Sequence, residues 1–345
     1  MRAKYIFYIF IYICLYNNFL TAQSQLNTPL EILTFMQASG TKYQVEELRS
    51  PPTPRNGSVL PHGAYLEIMD GKAYTKEYKN ALSEDAKKWV AEATQLLSVE
   101  KPNHGKARNL YQKALARFPE NAQLYTLIGE TYFYEKKYAE AKINLDKALV
   151  INPIDYLARW LLAEILLVEG KTEAALEGIS LAHFYNRNQP RLLHRLVEMY
   201  AQAGKKYQTG WGFEPLYKNY READSTVVIS AQGVWLTYAM YKAVWEFEPG
   251  YIFIKAQQSV SDYLVHQEME AVVGMYLTFS NLDEKDRRPY PSILYLEKAL
   301  DAEMLEEYVL YEIILTERPA LSNYLTPEFV KRLIKYLEVV RCGKE

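Results

Sequence analysis

Cysteine and histidine are scarce in this chain of 345 residues, which contains only two cysteines and five histidines. The histidines are scattered, and no two are spaced one helical turn apart as they would be in a helical zinc site. Cys342 lies near the end of the chain beside Gly343, which is a poor place for a positioned nucleophile. No glycine-rich phosphate loop occurs. The sequence therefore predicts no catalytic residue, no metal site and no cofactor.

The nearest approach to a cluster of metal-binding residue types is His266, Glu268 and Glu270. Alternate residues of a helix face different directions. We therefore predict a solvated stretch here rather than a site.

The chain also lacks a large surplus of charge, since 40 lysines and arginines face 42 acidic residues, for a net charge of −2. No arginine-rich or polybasic run occurs. A nucleic-acid partner, which would need a basic face, is disfavoured.

The N-terminal stretch, 1–22, has the layout of a secretory signal. Arg2 and Lys4 precede an apolar run from Tyr5 to Leu15, and a short polar stretch leads to Ala22. The run is too short to cross a bilayer, which needs about 20 apolar residues. We predict a signal peptide over 1–22 and export to the periplasm, the cell envelope or the outside.

Cleavage would lower the net charge from −2 to −4, because it removes two basic residues and no acidic one. The mature chain would have no transmembrane segment. It would keep one cysteine and so could form no internal disulfide.

Residues 23–82 are predicted to form an N-terminal extension. Thr28, Pro29 and Glu31 give the cap, first-turn proline and acidic third residue of one short helix, ending near Gly40. Between Ser50 and Gly63, prolines and glycines are too frequent for a regular element, which indicates a surface loop or linker.

Residues 83–207 show a regular repeat period. Alanine recurs at 107, 141 and 175, and again at 114, 148 and 182, and proline stands at 119 and 153. From Ala122 to Asp155 the pattern is most complete, with one helix predicted over Tyr125–Tyr132, a second over Ala141–Ala148, and Pro153 after it. This stretch resembles a tetratricopeptide repeat, a helix-turn-helix unit of about 34 residues.

The resemblance extends over about 88–207 and implies about three and a half repeats, of which the last begins with Leu193 and Leu196. Arg187 departs from the pattern, because it stands where proline is usual. Thr326, Pro327 and Glu328 predict a last helix running to about Arg341. We therefore predict an all-α fold: an α-solenoid of tetratricopeptide-type repeats (83–207) followed by a helical C-terminal region (208–345), which could hold degenerate repeats.

The resemblance also implies a groove lined by the first helices of the repeats. Glu130, Glu164 and Glu198 recur with the repeat period on these helices and are predicted to form a ladder of acids. Other groove residues are expected to be Phe133, Tyr134, Leu157, Trp160, Arg191, His194 and Arg195. Surface glutamates also recur simply because repeats duplicate, so the ladder alone does not prove a site.

We predict a non-enzymatic binding or scaffolding protein whose groove holds an extended protein or peptide segment. The acids favour a basic partner. Some family members use a clamp of Lys, Asn and Arg for chaperone C-termini, but Glu92, Thr126 and Trp160 stand at one clamp position here, which disfavours that partner class. Two alternatives stay open: an enzyme with an active site in 208–345, and a carbohydrate-binding accessory protein, since exposed aromatic residues also stack on glycans.

Overall fold

The computed structural model describes residues 26–50, 52, 57, 59–69, 72–209, 212–248, 250–251, 260–287 and 290–342. The predicted signal peptide lies outside these residues. Among the described residues no helix is long and apolar enough to cross a membrane.

Helices dominate the described residues. They are, in chain order, α1 (Pro29–Ala38), α2 (Glu84–Leu97), α3 (His104–Leu115), α4 (Ala122–Tyr134), α5 (Tyr138–Ile151), α6 (Tyr156–Val168), α7 (Thr172–Tyr185), α8 (Pro190–Gln202), α9 (Trp235–Phe247), α10 (Val260–Phe279), α11 (Glu284–Arg287), α12 (Pro291–Asp301), α13 (Leu305–Tyr308), α14 (Leu315–Glu317) and α15 (Pro327–Tyr336). Single π-helical segments at Val309–Ile314 and Leu337–Arg341 continue α13 and α15. The strands are β1 (Tyr43–Glu47), β2 (Ala64–Met69), β3 (Lys72–Glu77), β4 (Tyr217–Arg221) and β5 (Val227–Ala231).

The chain forms two compact units, each discontinuous in sequence. One unit combines the described residues before position 55 with those of Phe213–Leu294, and the other combines those of Arg55–Gly212 with those of Tyr295–Glu345. The sequence suggested a linear division at about 83 and 208. The difference arises because segments distant in sequence pair with each other, which periodicity along the chain does not report.

The repeat unit is an α-solenoid of tetratricopeptide type, as predicted. From α2 to α8 each helix packs against the next. The helices begin where the sequence places capping side chains: Asn121 Oδ1 accepts the N–H of Leu124, and Asp155 Oδ1 accepts the N–H groups of Leu157 and Ala158.

The repeat period is also visible in the backbone at the ends of the first helices. Lys136, Gly170 and Gly204 all have positive φ, between 60° and 75°. After each of them an N–H reaches back to a carbonyl in the last turn of the helix: Lys137 to Tyr132, Lys171 to Leu166 and Lys205 to Tyr200. This is the helix-ending motif that favours glycine. Equivalent turns therefore end α4, α6 and α8, and the first two of these turns lead into the second helices α5 and α7.

Small residues allow the helices of a pair to approach closely. The alanines at 107, 141, 175, 114, 148 and 182 are fully buried. A Cβ added to Gly129 would lie 2.8 Å from the side chain of Leu145 and 3.3 Å from the carbonyl oxygen of Ala141, so α4 and α5 touch at this point. The predicted register of the central repeat is confirmed.

Replacing Ala141 with leucine should destabilise the protein by about 1–3 kcal/mol, because the larger side chain must displace a packed helix. Ala139 lies exposed on the same helix and provides the matched control, Ala139→Leu. Urea titrations of both variants compare the two free energies of unfolding. Equal values would contradict the packing described here.

The C-terminal helix lies where the sequence predicts it and belongs to the repeat unit. Thr326 Oγ1 accepts the N–H of Phe329 at its start. The helix α15 packs against α7. Beyond it, Glu338 binds Lys205 at 2.6 Å and the carbonyl of Arg341 accepts the N–H of Gln208. The C-terminal segment thus joins the end of the repeat array.

A buried ionic cluster centres on Glu312 in the same unit. Its carboxylate accepts hydrogen bonds from Tyr336 at 2.8 Å and from Arg341 Nε at 2.7 Å, and a second bond from the same guanidinium. Arg187 approaches it at 3.4 Å and stacks its guanidinium over Tyr311. The departure of Arg187 from the repeat pattern therefore has a structural reason, because it supplies a second cation to this cluster.

The other unit contains a sheet, which corrects the prediction that 208–345 is wholly helical. The strand order is β1-β5-β4, with β1 parallel and β4 antiparallel to β5. All five residues of β5 are buried. Their valines and isoleucine favour strands, but the parallel partner is supplied by Tyr43–Glu47, far away in sequence.

The interpretation of Glu268 and Glu270 as solvated is wrong, since both are buried together with His266. Glu270 accepts hydrogen bonds from Trp245 Nε1 at 2.7 Å, the Tyr251 hydroxyl at 2.6 Å and the N–H of Asn27 at 2.8 Å. Hydrogen bonds to partners distant in sequence allow these carboxylates to be buried.

Candidate functional site

A cavity of about 550 Å³ opens between the first helices of successive repeats. Its walls come from α4, α6 and the start of α8, which is the arrangement implied by the resemblance for a ligand groove. The lining residues are His62, Glu130, Phe133, Tyr134, Tyr156, Leu157, Trp160, Leu161, Glu164, Gln189 and Arg191.

Seven of the ten predicted groove residues line this cavity: Glu130, Phe133, Tyr134, Leu157, Trp160, Glu164 and Arg191. The other three, His194, Arg195 and Glu198, lie on α8 outside its lining. Binding by any of the ten stays a prediction. The sequence pattern did not single out Tyr156, Leu161, Gln189 or His62.

Of the three acids in the predicted ladder, Glu164 and Glu198 are paired with Arg195. Arg195 binds Glu164 in a two-pronged contact of 2.6 and 2.7 Å and also contacts Glu198 at 2.9 Å. Trp160 Nε1 donates a further hydrogen bond to Glu164 at 2.8 Å. The charge of Glu164 is therefore neutralised, and its oxygens are already hydrogen-bonded.

Glu130 differs from Glu164 and Glu198 because it is not paired with a cation among the described residues. Its carboxylate has no hydrogen bond or ion pair with any residue that the structure describes. Burial raises the pKa of Glu130 from 4.5 to about 7, and no neighbouring cation opposes this shift. Burial raises the pKa of Tyr134, and the negative charge of Glu130, which lines the same cavity, raises it further. A cation entering the cavity would find here an acid without a partner.

Arg191 is the cation without a partner at the same cavity. Its side chain is exposed, and within the described part of the chain its guanidinium forms no ion pair. Burial raises the pKa of Tyr156 to about 12, and the positive charge of Arg191 opposes this rise. Arg191 and Tyr156 line the same cavity.

The wall formed by His62 comes from outside the repeats. Burial lowers the pKa of this imidazole, while the carboxylate of Asp155 opposes the shift. His62 is thus neutral at neutral pH. Gln123 Nε2 donates a hydrogen bond to the His62 carbonyl at 3.2 Å, which fixes this wall against α4.

Asparagines at the junctions between repeats hold the segment that carries His62. Asn121, Asn152 and Asn186 stand after the second helices of successive repeats. Their amides donate to the carbonyls of Tyr78, Ala64 and Leu60 at 3.2, 3.1 and 2.9 Å. Asn186 also accepts the N–H of Leu60 at 3.0 Å. The end of the predicted surface loop is therefore bound across the repeats, with Leu60 and Ala64 buried.

The described residues contain no group of three or more His, Cys, Asp or Glu side chains placed to hold a metal ion. The cavity chemistry is instead that of aromatic rings and isolated charges. Such a lining suits binding of a cationic or amphipathic group.

No protein-family model matches the chain, and no curated protein matches it. Among solved structures, the chain is similar to the first TPR of Spaghetti (RPAP3) bound to the HSP90 peptide SRMEEVD. The identity is 19%, the match covers 35% of this chain and 95% of that chain, and the TM-score is 0.32. The description of the fold rests on the repeat geometry given above.

Proposed function

We propose that this protein is an exported, non-enzymatic binding protein that holds a basic segment of a partner protein at the Glu130 cavity. The observation that carries the proposal is the unpaired Glu130 carboxylate in a cavity lined by Phe133, Tyr134 and Trp160. Aromatic faces attract cations, and a carboxylate removed from bulk water strengthens that attraction. A lysine or arginine side chain of the partner can contact the aromatic rings and pair with the carboxylate.

Export rests on the signal-like N-terminal sequence. Protein recovered from the exported fraction should begin at or near Gln23. Intact Met1 on cytoplasmic protein would contradict this part of the proposal.

Calorimetric titration with short peptides tests the binding role. Three peptides should share a neutral sequence and differ at one central position, occupied by lysine, norleucine or glutamate. We expect the lysine peptide to bind most tightly and Glu130→Gln to weaken its binding by roughly 10- to 150-fold, because a charge-assisted contact contributes roughly 1.5–3 kcal/mol.

The matched control is Glu177→Gln, which removes an exposed glutamate of α7 outside the cavity and should leave the affinity unchanged. Circular dichroism confirms that both variants are folded. Equal binding of the lysine and norleucine peptides, or full affinity in Glu130→Gln, would rule out cation recognition at this cavity.

A neutral glycan is the second candidate ligand. Tyr134 is 59% exposed at the cavity rim, and Trp160 offers part of its ring to the same space. Such faces can stack on a sugar ring. Saturable oligosaccharide binding that survives Glu130→Gln, with no peptide binding, would favour this candidate.

A further inference from the structure

Two opposite charges at the cavity lack partners. Glu130 has no cation and Arg191 has no acid among the residues that the structure describes. The other charged lining residue, Glu164, is already bound to Arg195 at 2.6 Å. A ligand that carries one positive and one negative group could form an ion pair with each of these two residues.

The two groups differ in depth. Glu130 is partly buried, whereas Arg191 is exposed at the start of α8. The positive group of the ligand must therefore reach inward and the negative group must stay near solvent. A lysine or arginine side chain fits this demand, because its apolar stem packs along apolar walls while the charge sits at its tip. Phe133, Leu157 and Leu161 supply such walls.

The size of the cavity limits how much chain it holds. A volume of about 550 Å³ is within the range of small-ligand sites, of about 300–1,000 Å³. One wall is the His62 segment, whose backbone is tied to Gln123 and Asn152. The cavity thus suits a single residue better than a long segment lying across the groove.

We infer that the cavity recognises the C-terminal residue of a partner chain when that residue is lysine or arginine. The side-chain cation binds Glu130, and the terminal carboxylate binds Arg191 beside Tyr156. An internal lysine satisfies only Glu130. This inference rests on the proposed function, since it specifies which basic residue of the partner is bound.

Four peptides of one length distinguish recognition of a C-terminal lysine from recognition of any lysine. The first ends in lysine with a free carboxylate, and the second is the same peptide with an amidated C-terminus. The third has its lysine at an internal position and the fourth ends in norleucine, both with free carboxylates. Wild-type protein should bind the first most tightly, and amidation should weaken it about tenfold, as expected for one lost charge-assisted contact. Arg191→Gln should bind the acid and the amide equally. Glu130→Gln should weaken both lysine forms and leave the norleucine peptide unchanged.

Lys106→Gln removes an exposed cation of α3 outside the cavity and serves as the matched control, which should keep the preference for the free acid. If amidated and free lysine peptides bind wild-type protein equally, the inference fails while the proposed function stands. If no lysine peptide binds the folded protein, both fail. A preference for the free acid that persists in Arg191→Gln also overturns the assignment of Arg191.

Discussion

Replacing Glu312 with alanine is expected to lower the free energy of unfolding by about 3–5 kcal/mol, the largest effect that we expect of any single substitution. Glu312 and Arg341 are 5% and 3% exposed. Removing the carboxylate leaves the Arg341 guanidinium in the interior without its counter-charge and takes the acceptor from Tyr336. Burial by itself would lower the pKa of Arg341, but Glu312 raises it well above its usual value.

Urea titration at neutral pH measures this loss. The matched control is Glu84→Ala, which breaks an exposed pair with Lys87 at 2.8 Å and should change stability little. The double variant Glu312→Leu with Arg341→Met should recover only part of the loss, because an apolar pair can replace a buried ion pair but Arg187 still loses its acid. Similar small losses in Glu312→Ala and Glu84→Ala would contradict the buried cluster.

Glu130→Gln is expected to raise the free energy of unfolding, and this gain should appear only when the pH rises above about 4.5. Replacing a glutamate on an exposed helix face usually changes stability by less than about 0.5 kcal/mol. Glu130 differs, because burial raises the pKa of its carboxyl group in the folded state from 4.5 to about 7. Between these values the folded protein holds a proton that the unfolded chain has released, so stability falls as pH rises through this window.

Glutamine does not ionise, so the Glu130→Gln variant does not lose stability in this way as the pH rises. Its advantage should be absent near pH 4.5 and should reach up to about 3 kcal/mol above pH 7. Urea titrations of wild type and variant at four pH values from 5 to 8 measure the difference. Glu177→Gln should show no such trend. A difference independent of pH would mean that Glu130 is ionised at all these values and is not buried as described.

The same titration affects binding. A bound cation lowers the pKa of Glu130, so binding releases a proton and the affinity should rise from pH 5 to about 7.5. Burial raises the pKa values of Tyr134 and Tyr156, so neither hydroxyl ionises in this range, and burial lowers the pKa of His62.

The sequence alone predicted the repeat register and the start of the last helix. The fully buried alanines at 107, 141 and 175 and the start of the last helix at Thr326 follow local signals. These signals act between neighbouring turns of one helix or between two consecutive helices. The repeat period therefore suffices to find them, and it also placed seven of the ten groove residues at one cavity.

Tertiary structure decided which of the charges are free. Arg195 reaches Glu164 on the first helix of the preceding repeat, Glu312 meets Arg187 and Arg341, and β1 pairs with β5 although more than half of the chain separates them. His62 enters the cavity wall from a segment that the sequence marked as a loop. Burial and pairing of a charge depend on which distant segments meet around it. The pattern of residues could name Glu130, Glu164 and Glu198, but only the packing left Glu130 without a partner.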